Sequence, residues 1–148
     1  MIVVRASAAH LAAWIDMRRA LWPDEDADLL AAQAREWLDD PEAGQHAWFA
    51  LAGDALLGFA EATLRHDYVN GCDTSPVAFL EGLYVAPQHR RRGVARALVD
   101  AVAAWAVTQD VSEFASDALI ENRASHAMHQ ALGFAETERV VYFRRPLA

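Results

Sequence analysis

Residues Leu83–Leu98 read LYVAPQHRRRGVARAL and decide the fold, because an apolar strand runs through a basic turn with one glycine directly into a helix. Gly93 allows the backbone of that turn to approach a ligand closely. The first turn of the following helix offers unpaired N–H groups and the positive end of the helix dipole to an anion. The stretch therefore predicts a phosphate-binding loop between a strand and a helix.

The three consecutive arginines of this loop could instead form a solvated charge cluster or a nucleic-acid-binding patch. Proteins that bind duplex nucleic acid rely on a broad basic face. This chain has 21 Asp and Glu residues against 13 Lys and Arg residues, so its net charge is −8. A single basic turn on an acidic protein suits a small polyphosphate ligand better than a nucleic acid.

The length and composition bound the domain count and the location of the protein. With 148 residues, of which 54% are apolar, we expect residues 1–148 to form one domain with a substantial core. The sequence turns polar at Arg5, and no apolar run approaches the length of a membrane span, so we expect a cytoplasmic protein. Cys72 is the only cysteine, and no base that would activate it as a nucleophile is evident.

Hydrophobic periodicity and turn residues predict the remaining elements. A strand over 2–5 and a first helix come first. Asp24-Glu25-Asp26 begins a second helix that ends before Pro41, and a hairpin around Gly53-Asp54 precedes the strand Val77–Val85. After the loop and its helix come a short strand over Glu113–Ser116, a helix over Asn122–Ala131 and a last strand over Glu136–Arg145. The order βααβββαβαβ predicts an α+β domain with a mixed, mostly antiparallel sheet flanked by helices.

The segment Arg90–Ala95 reads Arg-x-x-Gly-x-Ala, which resembles the acyl-CoA pyrophosphate loop of the GNAT superfamily of N-acetyltransferases. The preceding strand and following helix stand in the order of that fold, and the resemblance covers nearly the whole chain. It implies acetyl-CoA as cosubstrate, and Asn122 is a contact of the cofactor arm, an ordinary helix cap, or both. The implied cofactor-binding residues are Leu83, Tyr84, Val85, Arg90, Arg91, Arg92, Gly93, Val94, Ala95, Arg96, Asn122 and His129.

The strand before the loop carries a charged residue and a glycine, Glu81 and Gly82, in an otherwise apolar run. A glycine within a strand predicts a bulge or the close approach of a ligand. The resemblance implies that this strand splays from its neighbour and that one of its N–H groups polarises the thioester carbonyl, so Tyr84 is counted with the catalytic residues. An amine must lose a proton before it attacks a thioester. Glu81 is the candidate base or ammonium anchor, and the alternative is a salt bridge on the sheet surface.

The thiolate that leaves acetyl-CoA needs a proton, which many members of the superfamily supply from a tyrosine. The matching position here is His129, whose imidazolium form could do the same. His126 and His129 could also suggest a metal pair, but no Cys, Asp or Glu on the same turn completes it. We therefore expect catalysis without a metal.

Several segments resemble one branch of the superfamily, the aminoglycoside 6'-N-acetyltransferases, namely Leu21–Asp24, His66–Cys72, Ser75–Val77 with Phe79–Gly82, Ala115–Asp117, and His129–Phe134 with Glu136–Val140. The resemblance implies a polycationic acceptor and a role in antibiotic resistance. Trp22 and Tyr68 could stack on sugar rings, while Glu81, Asp117 and Glu138 could hold ammonium groups. Each has a structural alternative: Trp22 ends a helix against the core, Tyr68 covers the sheet, Asp117 caps a turn, and Glu138 lies free on the last strand.

The same resemblance bears on the oligomeric state, and two alternative functions remain open. The resemblance implies a homodimer, in which the apolar run Val140–Phe143 is either an interface segment or an ordinary buried strand. One alternative function is acetylation of another amine, such as a polyamine or a protein N-terminus. Another is a catalytically silent module that binds acyl-CoA, which the absence of tyrosine at His129 favours slightly.

Overall fold

The structure is a computed structural model that describes residues 1–40 and 44–148. Its strands are β1 (Ile2–Arg5), β2 (Gln45–Ala52), β3 (Ala55–Arg65), β4 (Val77–Val85) and β5 (Phe114–Ala115). Its α-helices are α1 (Leu11–Leu21), α2 (Ala27–Asp39), α3 (Val94–Thr108) and α4 (Arg123–Ala131), and short 3-10 turns lie at Ala8–His10 and Pro87–His89. The strands form one sheet in the order β1-β2-β3-β4-β5, antiparallel except for the parallel pair β4 and β5. The predicted α+β class with a mixed, mostly antiparallel sheet is confirmed.

Helices cover both faces of the sheet, which explains why its central strands are apolar on both sides. Along β2, Trp48 and Ala50 pack toward α3, where Leu98 and Val102 are fully buried. The alternate residues of β2 pack toward α1 and α2, and there Phe49 meets the Trp14 ring edge-on at 5.4 Å between centroids. Because successive side chains of a strand point to opposite faces of the sheet, β2 contributes residues to both hydrophobic cores.

Local signals set the boundaries of these elements. Asp26 begins α2, because its side chain accepts hydrogen bonds from the N–H groups of Asp28 and Leu29 at 2.8 and 3.1 Å. The same helix ends at Asp39, and Pro41, where the sequence predicts a stop, lies outside the described residues. Gly53 has a φ of +58° in the tight turn between β2 and β3, which confirms the predicted hairpin.

The sheet opens into a fork between β4 and β5. Only Ala78 and Phe79 of β4 pair with β5, through Phe114 and Ala115. The short strand is therefore two residues long instead of the predicted four. Beyond Phe79, β4 continues to Val85 while pairing with β3 alone. One backbone edge of this stretch is thus left for another partner.

The prediction of a last strand over Glu136–Arg145 is wrong for this structure, in which residues 134–148 have no regular secondary structure. Val141, Tyr142 and Phe143 are 77%, 81% and 91% exposed, so ordinary sheet burial of this run is the wrong alternative. A strand exists only when its N–H and C=O groups find a neighbouring strand, and the sequence does not reveal that neighbour. The remaining elements follow the predicted order.

No helix within the two described ranges has both the length and the apolar character required to cross a bilayer.

Candidate active site

The phosphate loop has the backbone geometry that the sequence predicts. Gly93 is the N-cap residue of α3 and has a φ of +80°, in the left-handed region that favours glycine. A Cβ at this position would meet no atom within 4 Å, so backbone conformation, and not crowding, explains the glycine. The N–H groups of Val94, Ala95 and Arg96 belong to the first turn of α3, where the helix itself provides no acceptor. The loop therefore presents donors and a helix dipole to an anion.

The four arginines of this region have different surroundings. The Arg90 Nε donates a 2.8 Å hydrogen bond to the Val85 carbonyl, and its guanidinium lies 5.4 Å from the centroid of the Tyr84 ring. Arg96 donates to the Ala131 carbonyl and so joins α3 to the end of α4. All four arginines are exposed, and the carbonyl contacts of Arg90 and Arg96 hold these two against the loop. The loop therefore offers several accessible cationic groups to a polyphosphate.

The open edge of β4 leads from the fork to this loop. Leu83 packs on the α3 side of the sheet, and Tyr84 packs on the other side, with its ring 6.3 Å from that of Phe59. Val85 ends the strand and is buried. Because β5 does not accompany these residues, their backbone groups on that edge can pair with an extended ligand. The structure thus joins a strand-like binding edge to an anion cradle.

Glu81 lies in a β-bulge. Glu61 of β3 pairs with Gly82, and the next residue Ala62 pairs with Leu80, so Glu81 has no partner in the register. This confirms the bulge that Gly82 predicts. The extra residue brings the Glu81 side chain to Thr63 and Arg65, which line one face of β3.

The Glu81 carboxylate accepts three hydrogen bonds from β3. Thr63 Oγ1 donates to Oε1 at 2.7 Å, and Arg65 donates from Nε to Oε1 at 3.0 Å and from Nη2 to Oε2 at 2.9 Å. The salt bridge considered for Glu81 is therefore present. It does not exclude a functional role, because the Glu81 side chain remains 26% exposed.

An open cavity of about 530 Å³ lies beside this carboxylate and is lined by 63–68 and Glu81. Tyr68 is 75% exposed at this cavity, so it does not cover the sheet as an ordinary core aromatic would. Trp22 is half-buried and packs over Gly82, where a Cβ would come within 2.7 Å of the indole Cη2. The structure therefore brings Trp22, Tyr68 and Glu81 to the same side of β4.

A buried ion pair, absent from the sequence-based expectations, lies beneath Trp22. Arg18 and Glu61 are 3% and 1% exposed and form a direct ion pair, and Trp14 Nε1 also donates to the Glu61 carboxylate at 3.0 Å. The Arg18 guanidinium lies 4.9 Å from the centroid of a Trp22 ring. Burial raises the pKa of Glu61, and the Arg18 charge opposes that shift. In the sequence, the only sign of this pair is Glu61 itself, a charged residue in the otherwise apolar first part of β3.

Asp117 and Glu138 are both exposed. Asp117 lies two residues beyond Ala115, which pairs with Phe79, and Glu81 lies two residues beyond Phe79. The two carboxylates therefore follow the two branches of the fork. Glu138 follows Thr137, whose side chain lies against Gly71 in the loop that carries Tyr68.

His129 connects α4 to the end of β5. Its Nε2 lies 2.7 Å from Ser116 Oγ, and its Nδ1 lies 2.7 Å from the Ser125 carbonyl oxygen. A carbonyl only accepts, so the proton of the neutral ring lies on Nδ1 and Nε2 accepts from the Ser116 hydroxyl. Asn122 caps α4, since its Oδ1 accepts from Ser125 N at 3.1 Å. Asn122 is therefore a helix cap, and its contact with the cofactor arm stays a prediction.

Two other chemistries considered from the sequence find no support in this geometry. Among the residues that the structure describes, no three His, Cys, Asp or Glu side chains are grouped so that they could hold a metal ion. Burial and the Glu113 carboxylate raise the pKa of the Cys72 thiol, which opposes formation of a nucleophilic thiolate.

Comparison with known proteins agrees with this arrangement. Residues 11–134 match the model of the Acetyltransferase (GNAT) family. An aminoglycoside N(6')-acetyltransferase type 1 from Stenotrophomonas maltophilia is 50% identical over 144 residues, covering 97% of this chain and 92% of that protein.

Two solved structures are also similar. AAC(6')-Iy in complex with the bisubstrate analogue CoA-S-monomethyl-acetylneamine has a TM-score of 0.91 and 43% identity, covering 99% of this chain and 98% of that one. Aminoglycoside antibiotic 6'-N-acetyltransferase AAC(6')-Ih from Acinetobacter baumannii has the same TM-score and identity, with 99% of both chains covered. The phosphate loop, the forked sheet and these matches together show that the chain belongs to the GNAT family of acetyltransferases.

Proposed function

We propose that this enzyme transfers the acetyl group of acetyl-CoA to the 6'-amine of an aminoglycoside while both substrates are bound. The observation that carries the proposal is the fork in the sheet. From a bulge beside a cavity with two carboxylates and an exposed tyrosine, β4 continues as an open strand edge to the loop before α3. The names of the similar proteins support the same acceptor. Acetylation removes one positive charge from a drug that binds ribosomal RNA phosphates, so resistance follows.

The cradle and the open strand edge fit acetyl-CoA, which supplies the acetyl group as a thioester. The first-turn N–H groups of α3, together with Arg91 and Arg92, hold the pyrophosphate. The free edge of Leu83–Val85 pairs with the extended arm, and an N–H group beside Tyr84 donates to the thioester carbonyl. The acceptor ammonium first loses a proton to solvent, and the nitrogen of the free amine then forms a C–N bond as the C–S bond breaks. The nitrogen loses a second proton to give the amide, and the CoA thiolate takes up one proton and leaves as the thiol.

The acceptor side works chiefly by charge and stacking. Glu81 anchors an ammonium group, since its side chain is 26% exposed and lines the cavity. Trp22 and Tyr68 contact the sugar rings, and Asp117 and Glu138 hold further ammonium groups at the margin. The net charge of −8 steers a polycation toward this surface.

His129 supplies the proton for the leaving thiolate through its contact with Ser116. In the neutral tautomer the hydroxyl of Ser116 donates to Nε2, so the imidazolium form is the state with a proton to give. A His129→Phe variant should therefore lose turnover by a much larger factor than it loses affinity for acetyl-CoA.

A kinetic comparison of two acceptors tests the proposed reaction. Thiol release from acetyl-CoA should be rapid with an aminoglycoside that has a 6'-amine and absent with a close analogue that has a 6'-hydroxyl. Equal rates would place the reaction at another amine, and release with polyamines or peptides alone would replace the acceptor. Binding of acetyl-CoA without any turnover would indicate the silent module.

We also propose a homodimer in which the run Val140–Phe143 contacts a second copy. Four consecutive apolar residues with exposures between 44% and 91% are unfavourable in water unless another surface covers them. Sedimentation of the wild type should give a dimer, and the double variant Val141→Lys/Phe143→Lys should give a monomer. A monomeric wild type at micromolar concentration would exclude this interface. A cytoplasmic location is the corresponding proposal for the cell, because acetyl-CoA is available there, and cell fractionation checks it.

A further inference from the structure

The Glu81 carboxylate is already paired with a cation of its own chain. Arg65 approaches it with two parallel hydrogen bonds, from Nε at 3.0 Å and from Nη2 at 2.9 Å, so the guanidinium covers both carboxylate oxygens. Such bidentate pairs are directional and neutralise the carboxylate locally. A positively charged acceptor that reaches this cavity therefore meets a carboxylate whose charge is partly cancelled.

The pair lies at the accessible wall of the cavity and is not part of the core. The side chain of Arg65 is 41% exposed and that of Glu81 is 26% exposed, and both line the open cavity beside Tyr68. Ion pairs with this exposure separate at little cost, because water solvates both charges as they part. The buried pair of Arg18 and Glu61 differs in this respect, since both of its members are shielded from water.

Arg65 also has a second contact that remains when the carboxylate is taken by another cation. Its guanidinium carbon lies 3.5 Å from the centroid of the Phe79 ring, which is the distance of a stacked cation–π contact. Phe79 is buried, so its position is fixed by the sheet. The guanidinium can thus remain on this ring while Glu81 changes partners.

We propose that Arg65 is a specificity-determining residue that competes with the acceptor ammonium for Glu81. The inference rests on the proposed role of Glu81 as an ammonium anchor. An incoming ammonium must share the carboxylate or displace the guanidinium, which weakens the binding of any single cation there. Acceptors with several ammonium groups offset this competition through contacts elsewhere in the site, and simple monoamines do not. Arg65 therefore selects polycationic acceptors over monoamines.

The test compares Arg65→Met with the control variant Arg35→Met. Arg35 is exposed on α2, so its substitution changes the net charge equally without touching Glu81. Arg65→Met should lower the acceptor KM by roughly two- to fivefold for an aminoglycoside and by a larger factor for a monoamine, with an unchanged KM for acetyl-CoA. An equal factor for both acceptors would overturn the role in selectivity. Arg35→Met should leave the acceptor KM within about 1.5-fold of the wild type on the same reasoning. Arg65→Gln serves as a second variant if Arg65→Met does not fold.

Repeating the Arg65→Met measurement in a Glu81→Gln variant distinguishes failure of the competition from failure of the anchor role of Glu81. If Arg65 acts through Glu81, the effect of Arg65→Met should disappear in that background. An increased acceptor KM in Arg65→Met would show that Arg65 positions Glu81 and would overturn the competition, as would an equal effect in both backgrounds. If Glu81→Gln alone leaves the acceptor kinetics unchanged, the anchor role fails, and the competition fails with it. A wild type that acetylates no aminoglycoside would instead reject the proposed function.

Discussion

Replacement of Arg18 by Met should strongly destabilise the protein, because it leaves a carboxylate buried without its counter-ion. Glu61 is 1% exposed, and after the substitution it retains the 3.0 Å hydrogen bond from Trp14 but no positive charge. Removal of one member of a buried ion pair typically costs about 3 to 5 kcal/mol. For a chain of this length, that loss corresponds to a decrease of roughly 6 to 20 °C in the melting temperature.

The loss should depend on pH in a defined direction. Burial raises the pKa of Glu61, and without the Arg18 charge that rise should be larger. A carboxyl whose folded pKa exceeds its unfolded pKa contributes its full stability below the unfolded value and loses it as pH rises through the folded value. The destabilisation of Arg18→Met should therefore be smaller at pH 5 than at pH 8.

Urea unfolding of the wild type and Arg18→Met at both pH values measures this difference. The double variant Arg18→Met/Glu61→Leu is the control, because an apolar replacement of both partners should recover most of the lost stability. A free energy of unfolding within about 1 kcal/mol of the wild type, or a deficit that does not change with pH, would refute the assignment of Glu61 as a charge that depends on Arg18.

Three further predictions concern the loop, the bulge and a surface histidine. Gly93→Asp should weaken acetyl-CoA binding, measured by calorimetry, at least about tenfold more than Gly93→Asn. Both side chains tolerate the φ of +80°, but only the aspartate carries a negative charge that repels a pyrophosphate. Equal losses of affinity would contradict the anion cradle. Gly82→Ala should displace Trp22, because the new Cβ would lie 2.7 Å from the indole, and it should raise the acceptor KM and lower the free energy of unfolding by about 1 to 3 kcal/mol. The additional substitution Trp22→Leu should relieve that loss of stability. If the loss persists, its cause is the strand backbone and not the contact with Trp22. Burial and the Arg5 charge lower the pKa of His46 to about 4, below its unfolded value, so stability should fall as pH decreases from 7 toward 4. Because this ring is only half-buried, the effect should be about 1 to 2 kcal/mol, and a His46→Gln variant with the same pH dependence would exclude it.

The parts of the fold that the sequence predicts well depend on short-range chemistry. Gly53 in a two-residue turn, Asp26 at a helix start and Gly93 before an apolar helix each act through their own backbone or through neighbours a few residues away. These positions set the hairpin, the second helix and the phosphate loop. The motif around Gly93 therefore carries information without knowledge of the tertiary structure.

The parts that escape prediction depend on register and on partners. The contact between Arg65 and Glu81 exists because a bulge removes Glu81 from the register of β3 and β4, and Gly82 predicts a bulge but not which side chain it turns. The ion pair of Arg18 and Glu61 joins residues 43 positions apart. The run Val140–Phe143 has the composition of a strand but is not in a strand among the described residues, because composition alone does not specify a neighbouring strand.

The most direct test of the proposed reaction is to locate the acetyl group on the product formed from acetyl-CoA and an aminoglycoside with several amines. Two-dimensional NMR of the purified product should show one new amide, at the 6' position, with the other amines unmodified. An acetyl group on a ring amine other than 6', or a mixture of positions, would contradict the claim that the cavity beside Glu81 presents the 6'-amine to the thioester.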